Sequence, residues 1–97
     1  MHLQVPHKTR QFDAIQKVKF GINEGRKEAA AHNVTIEEER WEGNVLHFSA
    51  TLQGKQISGT LEVTDKEYVI DAKLPLLWRI FEGKIEKMIA EQARMLR

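Results

Sequence analysis

Histidine and cysteine are the side chains that most often hold transition metals, and this chain contains four histidines and no cysteine. A zinc site needs ligands at short spacings, such as i and i+4 on a helix. No such spacing relates the four histidines, which are His2, His7, His32 and His47. The sequence therefore predicts surface histidines, no metal site and no cofactor.

Hydroxyl nucleophiles and paired carboxylates are the other groups that could carry a reaction. Ser49 and Ser58 fall at polar positions of predicted strands, and neither lies in a nucleophile-elbow turn. Glu37, Glu38 and Glu39 are interpreted as a solvated strand edge, where charge opposes edge-to-edge aggregation. No pair of carboxylates has surroundings that should separate their pKa values, and no glycine-rich phosphate loop follows a strand. We therefore expect a protein that is not an enzyme.

Composition narrows the class of protein further. A chain of 97 residues is predicted to form one domain, residues 1–97. Charged residues make up 30% and apolar residues 41%, which is typical of a globular domain. No apolar run approaches the ~20 residues of a transmembrane helix, and no uniformly basic stripe indicates nucleic-acid binding. Without cysteines or a signal-peptide pattern, a cytoplasmic location is the simplest expectation.

Hydrophobic periodicity predicts the element order β-α-β-β-β-β-α. A short strand ends at Pro6, and a helix with one apolar face follows as far as about His32. Gly21 and Gly25 weaken this helix, and two short helices are the alternative; a single helix, with or without a kink, is favoured. From Val34 onward the period is two, which predicts a four-stranded antiparallel meander with one apolar and one polar face.

The last quarter of the chain, residues 76–97, is predicted to form a long amphipathic helix with Pro75 at its first position. Its apolar arc should lie in the core; the core residues expected there are Leu77, Trp78, Phe81, Ile85, Met88 and Ile89. Packing this helix on the meander gives a two-layer α+β sandwich. The arrangement is similar to a reduced helix-grip fold, in which a curved sheet wraps a long C-terminal helix.

Four segments carry a family resemblance. They are Trp41-Glu42-Gly43-Asn44 with Leu46 and Phe48, Gly59-Thr60-Leu61-Glu62-Val63, Leu74-Pro75-Leu76-Leu77, and Gly83-Lys84-Ile85-Glu86. Together they resemble the polyhydroxyalkanoic acid system proteins, small bacterial proteins named for genes near those of polyester-granule synthesis. The resemblance covers nearly the whole chain. It implies an association with storage-polymer metabolism and supplies no catalytic residues.

Two classes of function follow. The first is a non-enzymatic interaction protein that works at the polymer granule or with its proteins, through residues beside the core arc of the last helix: Leu76, Arg79, Ile80 and Gly83. The same residues suggest a homodimer. The alternative is a domain that binds a small apolar molecule in a cavity between the sheet and the C-terminal helix, although a chain this short has little volume to spare. Trp41 is interpreted as a structural lid over a hairpin end, with ligand stacking as the alternative.

Phe81 lies at the middle of the predicted apolar arc, so its removal tests the predicted core. Phe81→Ala should lower the free energy of unfolding by ~3–5 kcal/mol, since a buried aromatic ring would be replaced by a cavity. Urea denaturation followed by circular dichroism measures the change. An unchanged midpoint would show that this part of the core is misplaced.

Overall fold

The computed structural model describes residues 1–52, 54–74 and 82–95, without the side chains of residues 82, 85 and 93–95. Its elements are β1 (His2–Pro6), α1 (Gln11–Ala31), β2 (Val34–Glu42), β3 (Val45–Leu52), β4 (Lys55–Val63), β5 (Glu67–Lys73) and α2 (Glu82–Met95). The fold is α+β, and the predicted order of strands and helices is confirmed.

In the described part of the chain, five strands form one antiparallel sheet in the order β1-β5-β4-β3-β2. Strands β2 to β5 are the predicted meander, each paired with its neighbour in the chain. Strand β1 pairs with β5, so that Leu3 lies opposite Ile70. The glycines of two turns, Gly43 with φ 59° and Gly54 with φ 77°, adopt a left-handed backbone that other residues enter only with strain.

Strand β2 contains a bulge that brings a glutamate to the helix side of the sheet. The register shifts between Ile36 and Glu38, so that Ile36 pairs with Ala50 whereas Glu39 pairs with Phe48. One extra residue reverses the alternation of side chains, and Glu39 therefore shares the apolar face. There it forms an ion pair with Arg26 of α1. The interpretation of residues 37–39 as one solvated edge is thus wrong for Glu39, because a single-residue bulge changes which face a side chain occupies.

Helix α1 is one continuous helix of 21 residues, as favoured over two short helices. It packs on the sheet through Ala14 and Val18, which are 0% and 4% exposed. The buried residues of the described core come from α1 and four strands: Val5, Ala14, Val18, Leu46, Val63 and Tyr68. Each large apolar side chain buried in this way stabilises the fold by ~1.5–3 kcal/mol.

Helix α2 is shorter than the predicted helix over 76–97. It has 14 residues and a length of ~21 Å at 1.5 Å per residue, and the expected similarity to a helix-grip fold is not supported. The predicted core residues Leu77, Trp78 and Phe81 lie outside the described residues, as does the side chain of Ile85.

One residue of α2 departs from its predicted surroundings. Met88 is 58% exposed, because α2 turns Ile89 and Ala90 inward and Met88 projects to one side of that face. Gly83 is exposed, with no described atom within 4 Å of the position of an added Cβ.

Gly59 of β4 is the glycine whose missing side chain allows two strands to pair. An added Cβ would clash with the carbonyl oxygen of Asp71 and lie 2.7 Å from Cα of Ala72, both backbone atoms of β5. We expect Gly59→Ala to lower the free energy of unfolding by at least ~2 kcal/mol, since β4 and β5 must separate to admit the methyl group.

Gly25→Ala is the matched control for this prediction. An added Cβ at Gly25 meets no described atom within 4 Å, and alanine is the better helix former by ~0.5–1 kcal/mol. This variant should therefore gain stability in the same urea titration. Equal effects of the two substitutions would contradict the close strand approach at Gly59.

Candidate functional site

An apolar cleft of about 470 Å³ lies between α1, the sheet and α2. The side chains that make its wall hydrophobic include Val18, Ile22, Phe48, Leu61, Ile70 and Ile89. This volume falls within the range of ~300–1,000 Å³ that is typical of small-molecule sites. The cleft is therefore the described concave feature best suited to hold a ligand.

Small residues on both sides of the cleft leave room within it. Gly21 of α1 and Ala50 of β3 line the cleft, and neither carries a side chain longer than a methyl group. The alternation of β3 directs Ala50 to the same face as Leu46 and Phe48. Ser49 also lines the cleft and is only 8% exposed. The alternating pattern of the strand predicted that its side chain would face solvent.

Tyr68 is a buried wall residue of this cleft, and its hydroxyl bonds to none of the described residues. The residue is 1% exposed, and its hydroxyl has no hydrogen-bond partner among the described residues. Burial raises the pKa of the phenol, so the hydroxyl stays protonated and can donate. An unpaired buried hydroxyl costs ~1–3 kcal/mol.

His7 lies beside the Tyr68 ring, with the two ring centroids 5.0 Å apart. Its Nε2 lies 2.8 Å from the backbone oxygen of Thr64, and the residue is 6% exposed. The expectation of a surface histidine is wrong here, because a carbonyl at the end of β4 gives the imidazole a partner inside the fold. His2 and His32 are exposed, as predicted.

Trp41 packs against the edge of the core and is not among the residues that line the cleft. Lys19 of α1 places its Nζ 5.3 Å from the centroid of the indole ring, a cation–π contact. The indole Nε1 is buried and has no partner in the described part of the chain. This placement favours the structural interpretation of Trp41 over ligand stacking.

Charged side chains form exposed ion pairs on the strands. Arg40 bonds to Glu38 and Glu42, and these bonds raise the pKa of Arg40 and lower the pKa of Glu42. His2 Nδ1 lies 2.5 Å from Asp71 Oδ1. Solvent screens pairs of this kind, and the described residues contain no group of three potential metal ligands.

A second candidate surface lies on the outer side of α1. We define the aromatic ridge as Phe12, Gln16 and Phe20, which follow one another at i, i+4 and i+8 over ~12 Å of the helix. Phe12 is 69% exposed and Phe20 is 67% exposed. The sequence contained a signal for this ridge, because both phenylalanines lie opposite the inward residues Ala14 and Val18 on the helical wheel.

A family model with the description "Putative polyhydroxyalkanoic acid system protein" matches residues 1–96. The chain therefore belongs to this family, and the resemblance seen in the sequence is confirmed. A search of curated proteins and a search of solved structures gave no match. No helix in the described part of the chain is long and apolar enough to cross a membrane.

The unpaired hydroxyl of Tyr68 leads to a stability prediction. Tyr68→Phe should leave the free energy of unfolding unchanged or raise it by ~1 kcal/mol, since it removes a buried donor without a partner and keeps the ring. Tyr68→Ala, which also removes the ring, should lower it by ~3–5 kcal/mol. A clear loss of stability in Tyr68→Phe, measured by thermal or urea unfolding, would mean that the hydroxyl has a partner.

Proposed function

We propose that this chain is a non-enzymatic accessory protein of the polyhydroxyalkanoate system that attaches to the surface of storage-polymer granules. Membership of the family links the chain to the polymer system. The observation that carries the proposal is the aromatic ridge, where Phe12 and Phe20 are more than two-thirds exposed on one side of α1. We further propose that the protein acts in the cytoplasm at the granule.

The energetics of the ridge suit a reversible attachment. Single exposed apolar residues are common on soluble proteins, but two phenylalanines two turns apart can enter the same apolar surface together. Burial of each ring would contribute ~1.5–3 kcal/mol, before the cost of immobilising the protein. Lys19 and Lys27 are exposed on the same helix, and their charged side chains keep the surface around the ridge hydrated.

The last helix remains part of the proposal as a second contact. Leu76, Arg79 and Ile80, which the sequence suggested as an interaction surface, lie outside the described residues, and Gly83 is exposed. A homodimer would bring two aromatic ridges to one granule and strengthen attachment by raising the effective concentration of the second ridge. Light scattering measures this oligomeric state.

Binding to isolated granules tests the role of the ridge. Phe12→Ser/Phe20→Ser should lower the fraction that cosediments with granules by at least about tenfold, since both apolar anchors are lost. The fold should persist because both side chains are exposed. Asn23→Ser is the control, a serine substitution on the same exposed side of α1 that leaves the aromatic ridge unaltered.

Further variants separate the possible contacts. Leu76→Ser/Ile80→Ser tests the last helix, and charge reversal of Glu37 and Glu38 should have little effect. Granules stripped of protein distinguish the polymer surface from a granule protein as the partner. The proposed role of the ridge is wrong if the double serine variant at Phe12 and Phe20 is folded and cosediments as strongly as the unaltered protein.

A further inference from the structure

We infer that helix α1 docks on a layer of anionic phospholipid, with the aromatic ridge among the acyl chains and the basic side chains around it on the headgroups. The inference rests on the proposed function for the choice of the ridge as the attachment surface. It deepens that proposal by naming the chemistry that the ridge meets, a negatively charged lipid layer over the polymer in place of the bare polymer.

The charges of the chain are divided between α1 and the sheet. Residues 8–31, which comprise α1 and the turn before it, contain six basic and three acidic side chains. Residues 34–73, which comprise β2 to β5 and their turns, contain four basic and eight acidic side chains. The helix is therefore positive and the strands are negative. A negatively charged surface attracts such a molecule with α1 in front and repels its sheet.

Basic side chains at both ends of the ridge are available to a ligand. Arg10 precedes Phe12 by two residues, and Lys27 lies ~20° from the centre of the ridge on the helical wheel. Both are exposed, and neither forms an ion pair with a described residue, whereas Arg26 is engaged by Glu39. Arg10 and Lys27 can therefore bind phosphate groups without first giving up a carboxylate.

A lipid layer fits the apolar and the charged features of α1 together. Phenylalanine rings enter the boundary between headgroups and acyl chains, and long basic side chains extend back to keep their charge among the headgroups. A bare polyester would accept the rings, but it is neutral, so the cations beside them would lose water and gain no partner. An anionic phospholipid layer supplies both the apolar chains and the negative charge, which favours it over the bare polymer.

Two acidic residues on the outer side of α1 oppose this attraction. Asp13 and Glu24 are exposed and lie ~60° and ~80° from the centre of the ridge on the helical wheel. They repel phosphate headgroups and lower the local positive charge. The resulting attachment is reversible, and removal of the two charges should strengthen it.

Vesicles of stated composition test the inference with the full chain. Binding is measured by cosedimentation with vesicles of phosphatidylcholine alone and with vesicles in which about a third of the lipid is phosphatidylglycerol. We expect at least about tenfold tighter binding to the anionic vesicles at about 50 mM salt. The difference should disappear at about 1 M salt, because the Debye length falls to ~3 Å.

A matched pair of lysine variants locates the contact. Lys27→Gln should weaken binding to the anionic vesicles by about three- to fivefold. Lys73→Gln removes the same charge from an exposed position of β5 and should leave binding nearly unchanged. Both side chains are exposed and without an ion pair to a described residue, so the fold should persist in each variant, which circular dichroism checks.

Two further variants separate charge from apolar contact. Asp13→Asn/Glu24→Gln should strengthen binding to the anionic vesicles by about three- to tenfold and leave binding to neutral vesicles unchanged. Phe12→Ser/Phe20→Ser should weaken binding to both types of vesicle, because the apolar anchors contribute to each.

The inference and the proposed function can fail separately, and native granules are compared with lipid-extracted granules for this purpose. If extracted polymer retains the protein as strongly as native granules do, the attachment stands and the inference is wrong. If anionic vesicles bind the protein and native granules do not, the lipid recognition stands and the granule function is wrong. Equal binding to the two types of vesicle at low salt, or equal effects of Lys27→Gln and Lys73→Gln, would also overturn the inference.

Discussion

The packing of α1 against the sheet is the interaction on which the described structure depends. Ala14 is fully buried and Val18 nearly so, and both belong to the same core cluster as Leu46 and Val63 of the sheet. The absence of a long side chain at Ala14 lets the helix backbone come close to the strands. Five strands alone would leave one apolar face in water, and α1 alone would leave its apolar stripe in water. Each element is therefore stabilised by covering the other.

The same packing determines where a function can reside. Because α1 turns Ala14 and Val18 inward, Phe12 and Phe20 must project outward, where they are exposed. Farther along the helix, Gly21 offers no side chain to fill the space above the sheet, and the apolar cleft lies there. Helix α1 thus has an apolar feature on each side. The aromatic ridge on the outer side is exposed and could contact a large surface, whereas the cleft on the inner side is concave.

Local patterns allowed the elements to be predicted, whereas contacts between elements did not follow from them. Strict alternation along β3 to β5 was sufficient for the meander and its apolar face. The bulge turns Glu39 towards Arg26. It could not be predicted, because the types of residues in β2 do not show which of them is left unpaired in the sheet. Burial of His7 and of the Tyr68 hydroxyl depends on the end of β4 and on the core around them.

The aromatic ridge and the apolar cleft lie on different sides of α1. On a helical wheel the aromatic ridge is centred ~160° from Val18, which faces the core, so a surface that covers the ridge leaves the cleft side of α1 untouched. Binding at one site changes affinity at the other only if it favours a different position of α1. The burial of Ala14 and Val18 opposes such movement, because shifting the helix would break the packing that stabilises the sheet. A surface that covers the aromatic ridge would therefore leave the packing of α1 on the sheet, and with it the apolar cleft, unchanged.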